Sequence, residues 1–226
     1  MMNQLKIALS LCFMMYSFSV QAITPVTIKK ETTSTIIDVK YPQGFREARV
    51  NTVIKEFIEF TQKSFLKEIA EDDDSTDSAG KSGLNVTYSI PYEQNGALSI
   101  RFNVSVYHRG AAHPLNTVSV LNFIKGQQVR LGDLFLPGAD YLKPISQLCS
   151  KEITAKDISD PKWIKDGTAP VTDNYKVWSF TPEGIDIIFD SYQVAAYVYG
   201  EQTVSIPLSK LSALIKPEIL NTVWND

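Results

Sequence analysis

Apolar and polar side chains alternate through residues 84–92 and again through residues 98–106. A period of two is typical of a β-strand with one buried face. The residues between the two runs include Asn95-Gly96, a pair that favours a tight turn with positive φ. The pattern predicts an antiparallel hairpin, and similar runs predict two more, over 116–131 and 178–190.

A helical period marks residues 45–70, where apolar side chains recur near every 3.6 residues and charged ones occupy the other side. The same period predicts helices over 139–155 and 209–215. Prolines and a glycine interrupt 156–176, which we expect to be irregular. The mixture predicts an α+β fold, with antiparallel β-hairpins and sheets on which helices pack.

The first 22 residues have the features of an export signal: Lys6, an apolar run from Ile7 to Val20, and a small residue at Ala22. We expect cleavage near Ala22, a periplasmic or secreted protein, and no transmembrane anchor. Removal of this segment takes away one lysine and no acid, which changes the net charge from −3 to −4. That charge disfavours nucleic acid and suits a basic protein partner. Cys149 then remains as a single cysteine, interpreted as a buried structural thiol.

Both histidines of the chain lie in the stretch YHRGAAHP, from Tyr107 to Pro114. His108 continues the apolar phase of the preceding strand, which favours a histidine at the end of a core face. Gly110 is expected to adopt an unusual backbone angle. His113 precedes proline and is therefore held in the extended region.

These histidines do not predict a metal site, because a five-residue separation does not place both rings on one helical face and the chain has no third histidine. The acidic run over 71–83 lacks the glutamate that closes a calcium-binding loop. Nucleophile-elbow, zinc-protease and phosphate-loop motifs are also missing from the sequence. We therefore expect no metal, no cofactor and no catalytic residue.

Several segments resemble the extracytoplasmic domain of RsiV-type proteins. They are GAAHP (110–114), the N-x-x-x-G turn (122–126), VRLGDLF (129–135), FTPEGIDIIF (180–189) and SYQVAAYVYG (191–200). The upstream Y-P (41–42) and V-N-x-V-I (50–54) are similar to the PdaC-type N-terminal module, which is also found beside peptidoglycan deacetylase domains. The resemblance implies two intimately associated modules, over 23–113 and 114–226, behind the signal at 1–22. Ala111 departs from the family pattern, which usually has a second glycine there.

RsiV itself is a membrane-spanning anti-sigma factor whose outer part binds lysozyme. The present sequence shows neither a second apolar span nor a deacetylase catalytic domain. The resemblance therefore implies a free periplasmic version of the module. We expect a non-catalytic envelope protein that binds a protein or cell-wall ligand, with lysozyme and peptidoglycan as candidates.

The expected contact surface combines the 107–114 corner with a tyrosine-rich segment, although alternate tyrosines of a strand are more often core residues. Its candidate residues are Tyr107, His108, Gly110, His113, Tyr192 and Tyr197, with Tyr199 nearby. One alternative is a peptidoglycan-modifying enzyme, with His108 or His113 as base and Asp133 or Glu183 as partner. A structural accessory subunit is the other.

Overall fold

The computed structural model describes residues 22–71 and 80–225. The predicted export signal before Ala22 and the acidic run at 72–79 lie outside this part of the chain. The expected α+β class is confirmed: the chain forms two β-sheets and four α-helices within the described residues.

The first sheet has six strands in the order β1-β2-β3-β4-β5-β6. The strands β2 and β3 are parallel, while the other neighbouring pairs are antiparallel. The strands are β1 Thr24–Glu31, β2 Thr35–Gln43, β3 Ser82–Gln94, β4 Ala97–Tyr107, β5 Leu115–Ile124 and β6 Gln127–Gln128.

The predicted central hairpin is formed by β3 and β4. Its turn is at Asn95 and Gly96, whose φ angles of 51° and 72° are the positive values that the Asn-Gly pair favours. The next hairpin, β5–β6, turns at Lys125-Gly126 in the same way, with φ angles of 48° and 75°. A two-residue turn with positive φ therefore closes both hairpins.

Helix α1, Ala48–Glu71, crosses one face of this sheet and connects the parallel strands β2 and β3. Its apolar stripe packs on the inward side chains of the central strands. Each large side chain buried there contributes roughly 1.5–3 kcal/mol relative to exposure. The most deeply buried members are Val39, Val50, Ile54, Ile58, Phe65, Val86, Ile100, Phe102 and Phe123.

The second sheet has three antiparallel strands in the order β7-β8-β9. Helices α2 and α3 and the C-terminal helix α4 share a hydrophobic core with this sheet. The elements are α2 Leu142–Ala155, α3 Pro161–Gly167, β7 Trp178–Thr181, β8 Gly184–Phe189, β9 Gln202–Pro207 and α4 Pro217–Val223. Cys149 of α2 is fully buried in the core of this half, as the helical pattern indicated.

Two predictions for short elements are wrong. The 156–176 stretch contains α3, because the Asp160 carboxylate caps the helix by accepting from the Lys162 and Trp163 amides and Pro161 starts it. The expected helix over 209–215 is instead a short 3₁₀ turn followed by further turns. Pro217 then starts α4, since its fixed φ suits the first helical position.

A buried polar network joins the two sheets. The Ser99 hydroxyl on β4 donates to Asn122 Oδ1 (2.6 Å) and accepts from the Phe180 amide (2.9 Å). The Asn122 amide on β5 donates to the Trp178 carbonyl (2.7 Å). The chain position 113/114, proposed as a module boundary, lies in the turn between β4 and β5, so the first sheet continues across it. The division into two modules at that point stays a prediction.

Candidate functional site

A polar groove lies on the face of the first sheet that is opposite α1. Side-chain alternation places the hydroxyl and amide residues of β3, β4 and β5 on this face, while their apolar neighbours pack under the helix. The register sets Asn85 opposite Ser105 and Ser105 opposite Asn116, and pairs Thr87 with Asn103. The groove has a volume of about 400 Å³.

Residues 190–201, here called the strap, connect β8 to β9 and close one side of the groove. Three side chains attach the strap to the first sheet. Asp190 Oδ1 accepts a hydrogen bond from the Val118 amide (2.7 Å). Both carboxylate oxygens of Glu201 accept hydrogen bonds from the Arg101 guanidinium. The Tyr197 hydroxyl donates to the Pro114 carbonyl (3.0 Å) and accepts from the Asn116 amide (2.8 Å).

An aromatic cluster of His113, Tyr192 and Tyr197 lies at the end of the groove. The His113 and Tyr197 rings are stacked with centroids 4.2 Å apart, and the Tyr192 ring lies 5.5 Å from that of Tyr197. The structure thus brings together three of the six predicted contact residues, from segments about eighty residues apart. Their role in binding stays a prediction.

The expectation that these tyrosines are core residues is wrong. Tyr192 and Tyr199 are 49% and 48% exposed. The segment is not a strand: Tyr192 has a φ of 71°, and Tyr197–Tyr199 form a 3₁₀ helix. Alternate residues therefore do not share one buried face.

The other three candidates are distributed around the corner. Tyr107 ends β4 opposite Gly83 and continues the groove face. His108 lies toward α1, where its Nε2 is 3.7 Å from Glu68 Oε2. Gly110 has a φ of 85°, which confirms the expected unusual backbone angle. The two histidines consequently belong to different surfaces.

The acids paired with these histidines in the enzyme alternative lie elsewhere. Asp133 caps a turn that follows β6, where its Oδ2 accepts from the Arg130 amide (2.8 Å). Glu183 belongs to the β7–β8 turn. Both acids lie near the end of the β4–β5 hairpin at which β4 begins, whereas the histidines follow the end of β4. A strand as long as β4 spans roughly 35 Å.

Within the described ranges, no three or more His, Cys, Asp or Glu side chains are grouped so as to hold a metal ion. That part of the chain also contains no helix long and apolar enough to cross a membrane.

Asp190 has the most unusual electrostatic environment in the groove. Burial raises its pKa, and the nearby Glu201 adds to the increase, while the Val118 hydrogen bond and the Arg101 charge oppose it. A carboxylic acid of this kind, in a cleft and beside a charge pair, is typical of functional sites. Our sequence analysis did not identify Asp190, Arg101 or Glu201, because their partners are distant along the chain.

Comparison with protein families matches the two halves of the chain separately. Residues 28–116 match the family described as Deacetylase PdaC, and residues 132–209 match a protein family of unknown function, DUF3298. The chain pairs a PdaC-type module with a DUF3298 domain. This arrangement agrees with the one expected from the RsiV-type resemblance but does not distinguish RsiV, which stays a prediction.

A curated relative supplies a functional context for the PdaC-type module. The peptidoglycan-N-acetylmuramic acid deacetylase PdaC of Bacillus subtilis is 32% identical over 191 residues, which cover 83% of this chain and 40% of the relative. The chain thus spans about two fifths of the length of that protein. The prediction of a non-catalytic binding protein is wrong, because the match to a deacetylase favours a peptidoglycan-modifying role instead.

Two solved structures share the fold of this chain. A DUF3298 family member from Bacteroides fragilis has a TM-score of 0.58 at 17% identity, and a DUF3298 family protein from Pseudomonas aeruginosa PAO1 has 0.61 at 12%. In both comparisons the alignment covers 88% of this chain and 96% of the other. The similarity therefore extends across both sheets.

Proposed function

We propose that the protein acts in the modification of peptidoglycan and that the groove beneath the strap holds an N-acetylated glycan strand. The PdaC match supports the substrate class. The single observation that carries the assignment to this surface is the groove itself, in which amide and hydroxyl side chains line the floor and aromatic rings lie at the end.

The groove chemistry suits a glycan. Sugar hydroxyls and N-acetyl groups both donate and accept hydrogen bonds, as do the side chains of Asn85, Asn103 and Ser105. The apolar face of a pyranose ring packs well on an aromatic side chain, and half of the Tyr192 surface is accessible for such a contact. Polar groups would therefore orient the strand while the rings provide contact area.

Asp190 is our candidate for proton transfer in this modification. Removal of an acetyl group requires water to attack the amide carbonyl, a group that takes the proton from that water, and return of the proton to the departing nitrogen as the C–N bond breaks. The products are acetate and a free amine on the sugar. A carboxyl group whose pKa is raised by burial is suited to both transfers.

Incubation of the purified full-length protein with sacculi, followed by muramidase digestion and mass spectrometry, tests this proposal. We expect muropeptides that have lost an acetyl group, and an Asp190→Asn variant that produces few of them. Asp186→Asn is the matched control, because Asp186 lies on β8 outside the groove and contacts Ser205.

An unchanged muropeptide profile with the wild-type protein would refute the modification role. Equal activity of the wild-type and Asp190→Asn proteins would instead refute the place of Asp190 in it.

An extracytoplasmic location is part of this proposal, because peptidoglycan lies outside the cytoplasmic membrane. The apolar segment before Ala22 supports export. Cell fractionation and N-terminal sequencing should find an exported chain that begins near Ile23. Lysozyme as an additional partner stays a prediction of the RsiV-type resemblance, and the acidic net charge favours a basic protein of that kind.

A further inference from the structure

A second cavity, of about 200 Å³, lies between β5, the start of α2 and the segment that leads into β7. It shares no lining residue with the groove beneath the strap. Its walls include the side chains of Val120, Leu142 and Tyr141, and the Tyr141 ring is held in place by stacking on Phe135 with centroids 4.3 Å apart.

Trp178 lines this cavity and is 2% exposed. Its indole N–H has no hydrogen-bond partner among the described residues, whereas the N–H groups of Trp163 and Trp224 both donate to backbone carbonyls. The Trp178 indole nitrogen is nevertheless accessible to water. Among the described residues, Ser159 Oγ is the one polar side-chain atom that is both inaccessible to water and without a hydrogen-bond partner. The donor is thus free to bond to an acceptor that enters the cavity.

The Tyr141 hydroxyl is a second donor without a protein partner in the described part of the chain. The hydroxyl lies directly over Gly132, where an added Cβ would approach Tyr141 Oη to 2.8 Å. Glycine at that position therefore allows the tyrosine to lie against the cavity wall.

The lining of the cavity also includes two cations. Arg130 and Lys176 belong to its lining, which contains no aspartate or glutamate. Each cation has an acid three residues away along the chain, at 3.6 Å, but neither of those acids lines the cavity. A donor in the wall, apolar sides and two cations together suit an anion that carries a short apolar group.

We infer that this cavity is a binding site for a small organic carboxylate. Trp178 and Tyr141 would donate to the ligand, and Arg130 and Lys176 would attract its negative charge. The same chemistry is offered by a free short-chain acid and by the C-terminus of a short peptide. This inference does not depend on the proposed function of the groove.

Isothermal titration of the full-length protein with N-acetylalanine and with N-acetylalanine amide tests the site. The two probes have nearly the same size, but the amide replaces the charged carboxylate by a neutral group with one acceptor oxygen, so we expect the acid to bind at least tenfold more tightly than the amide. Propionate and N-acetylalanylalanine form the second comparison. Tighter binding of the dipeptide indicates a peptide terminus as the natural ligand, and equal binding indicates a free acid.

Two variants locate the binding. Trp178→Phe keeps the aromatic packing but removes the donor, and we expect at least tenfold weaker binding of the acid. The double substitution Arg130→Gln and Lys176→Gln changes two side chains that are 91% and 67% exposed. It should weaken binding of the acid and leave binding of the amide unchanged, whereas Lys165→Gln, a cation outside this cavity, should change neither.

Equal affinity for the acid and the amide, or no binding of either at millimolar concentration, would refute the inference. Wild-type affinity of the double variant for the acid would also refute the inference, even if Trp178→Phe failed to fold.

Discussion

The Asp190 carboxylate accepts a 2.7 Å hydrogen bond from the backbone amide of Val118, although 72 residues separate them along the chain. This bond attaches the start of the strap to β5 and draws the carboxylate into the protein. Burial raises the pKa of Asp190 as a consequence. The Val118 hydrogen bond itself opposes that increase, so the position of Asp190 balances burial against its contact with β5.

The pH dependence of stability should reveal Asp190. Its folded pKa is raised above its ordinary value of 3.8, so the folded state holds the proton more tightly than the unfolded state. The resulting stabilisation is present below the ordinary value and is lost as the pH rises through the raised one. We therefore expect Asp190→Asn to melt at a higher temperature than the wild type at pH 7, with the difference decreasing toward pH 4. Thermal melts across this range measure it, and a lower melting temperature of the variant at pH 7 would contradict the prediction.

Ser99 should be important for stability because its hydroxyl satisfies two buried groups at once. In Ser99→Ala, the Phe180 amide and Asn122 Oδ1 both lose a partner in a site that water does not reach. Each orphaned group costs roughly 1–3 kcal/mol, so we expect a loss of about 2–6 kcal/mol in the free energy of unfolding. Urea denaturation measures the loss. Ser205→Ala is the control, since that hydroxyl contacts Asp186 at the surface, and its effect should stay within about 0.5 kcal/mol. Similar effects of the two substitutions would argue against the network.

Cys149 should be unreactive in the folded protein. Burial, with a smaller contribution from Glu152, raises the pKa of its thiol to about 12, so almost no thiolate exists at pH 8. We expect a thiol reagent to modify the native protein only as fast as the chain opens, and to react at once in concentrated urea. Rapid stoichiometric labelling under native conditions would show that α2 is accessible.

The two histidines should differ in function. His113 is exposed and stacks on Tyr197 beside the groove, whereas His108 lies toward Glu68 on α1. We expect His113→Ala to retain the melting temperature within a few degrees and to bind glycan fragments several-fold more weakly. His108→Ala serves as the comparison and should retain glycan affinity. Equal affinities of the wild type and His113→Ala, measured by titration, would exclude the aromatic cluster from binding.

The pattern of residues predicted well the secondary-structure elements that depend on residues close together along the chain. The β3–β4 hairpin depends on alternation and on the Asn95-Gly96 turn, although the strand register shifts between Ser89 and Tyr92. Helix α1 depends on a stripe repeated over its whole length. The short helix α3 was missed, although Asp160-Pro161 is a strong start signal, because proline and glycine were interpreted as breaks.

By itself, the sequence determined the α+β class, the central hairpin, the helix that covers it, the burial of Cys149 and the unusual backbone of Gly110. Each of these follows from residues close together along the chain. Only the tertiary structure decided that His113 meets Tyr197, that Asp190 meets Val118, and that Trp178 lines a cavity with an unpaired donor. These contacts depend on how the second sheet packs against the first, and no short-range periodicity encodes that packing.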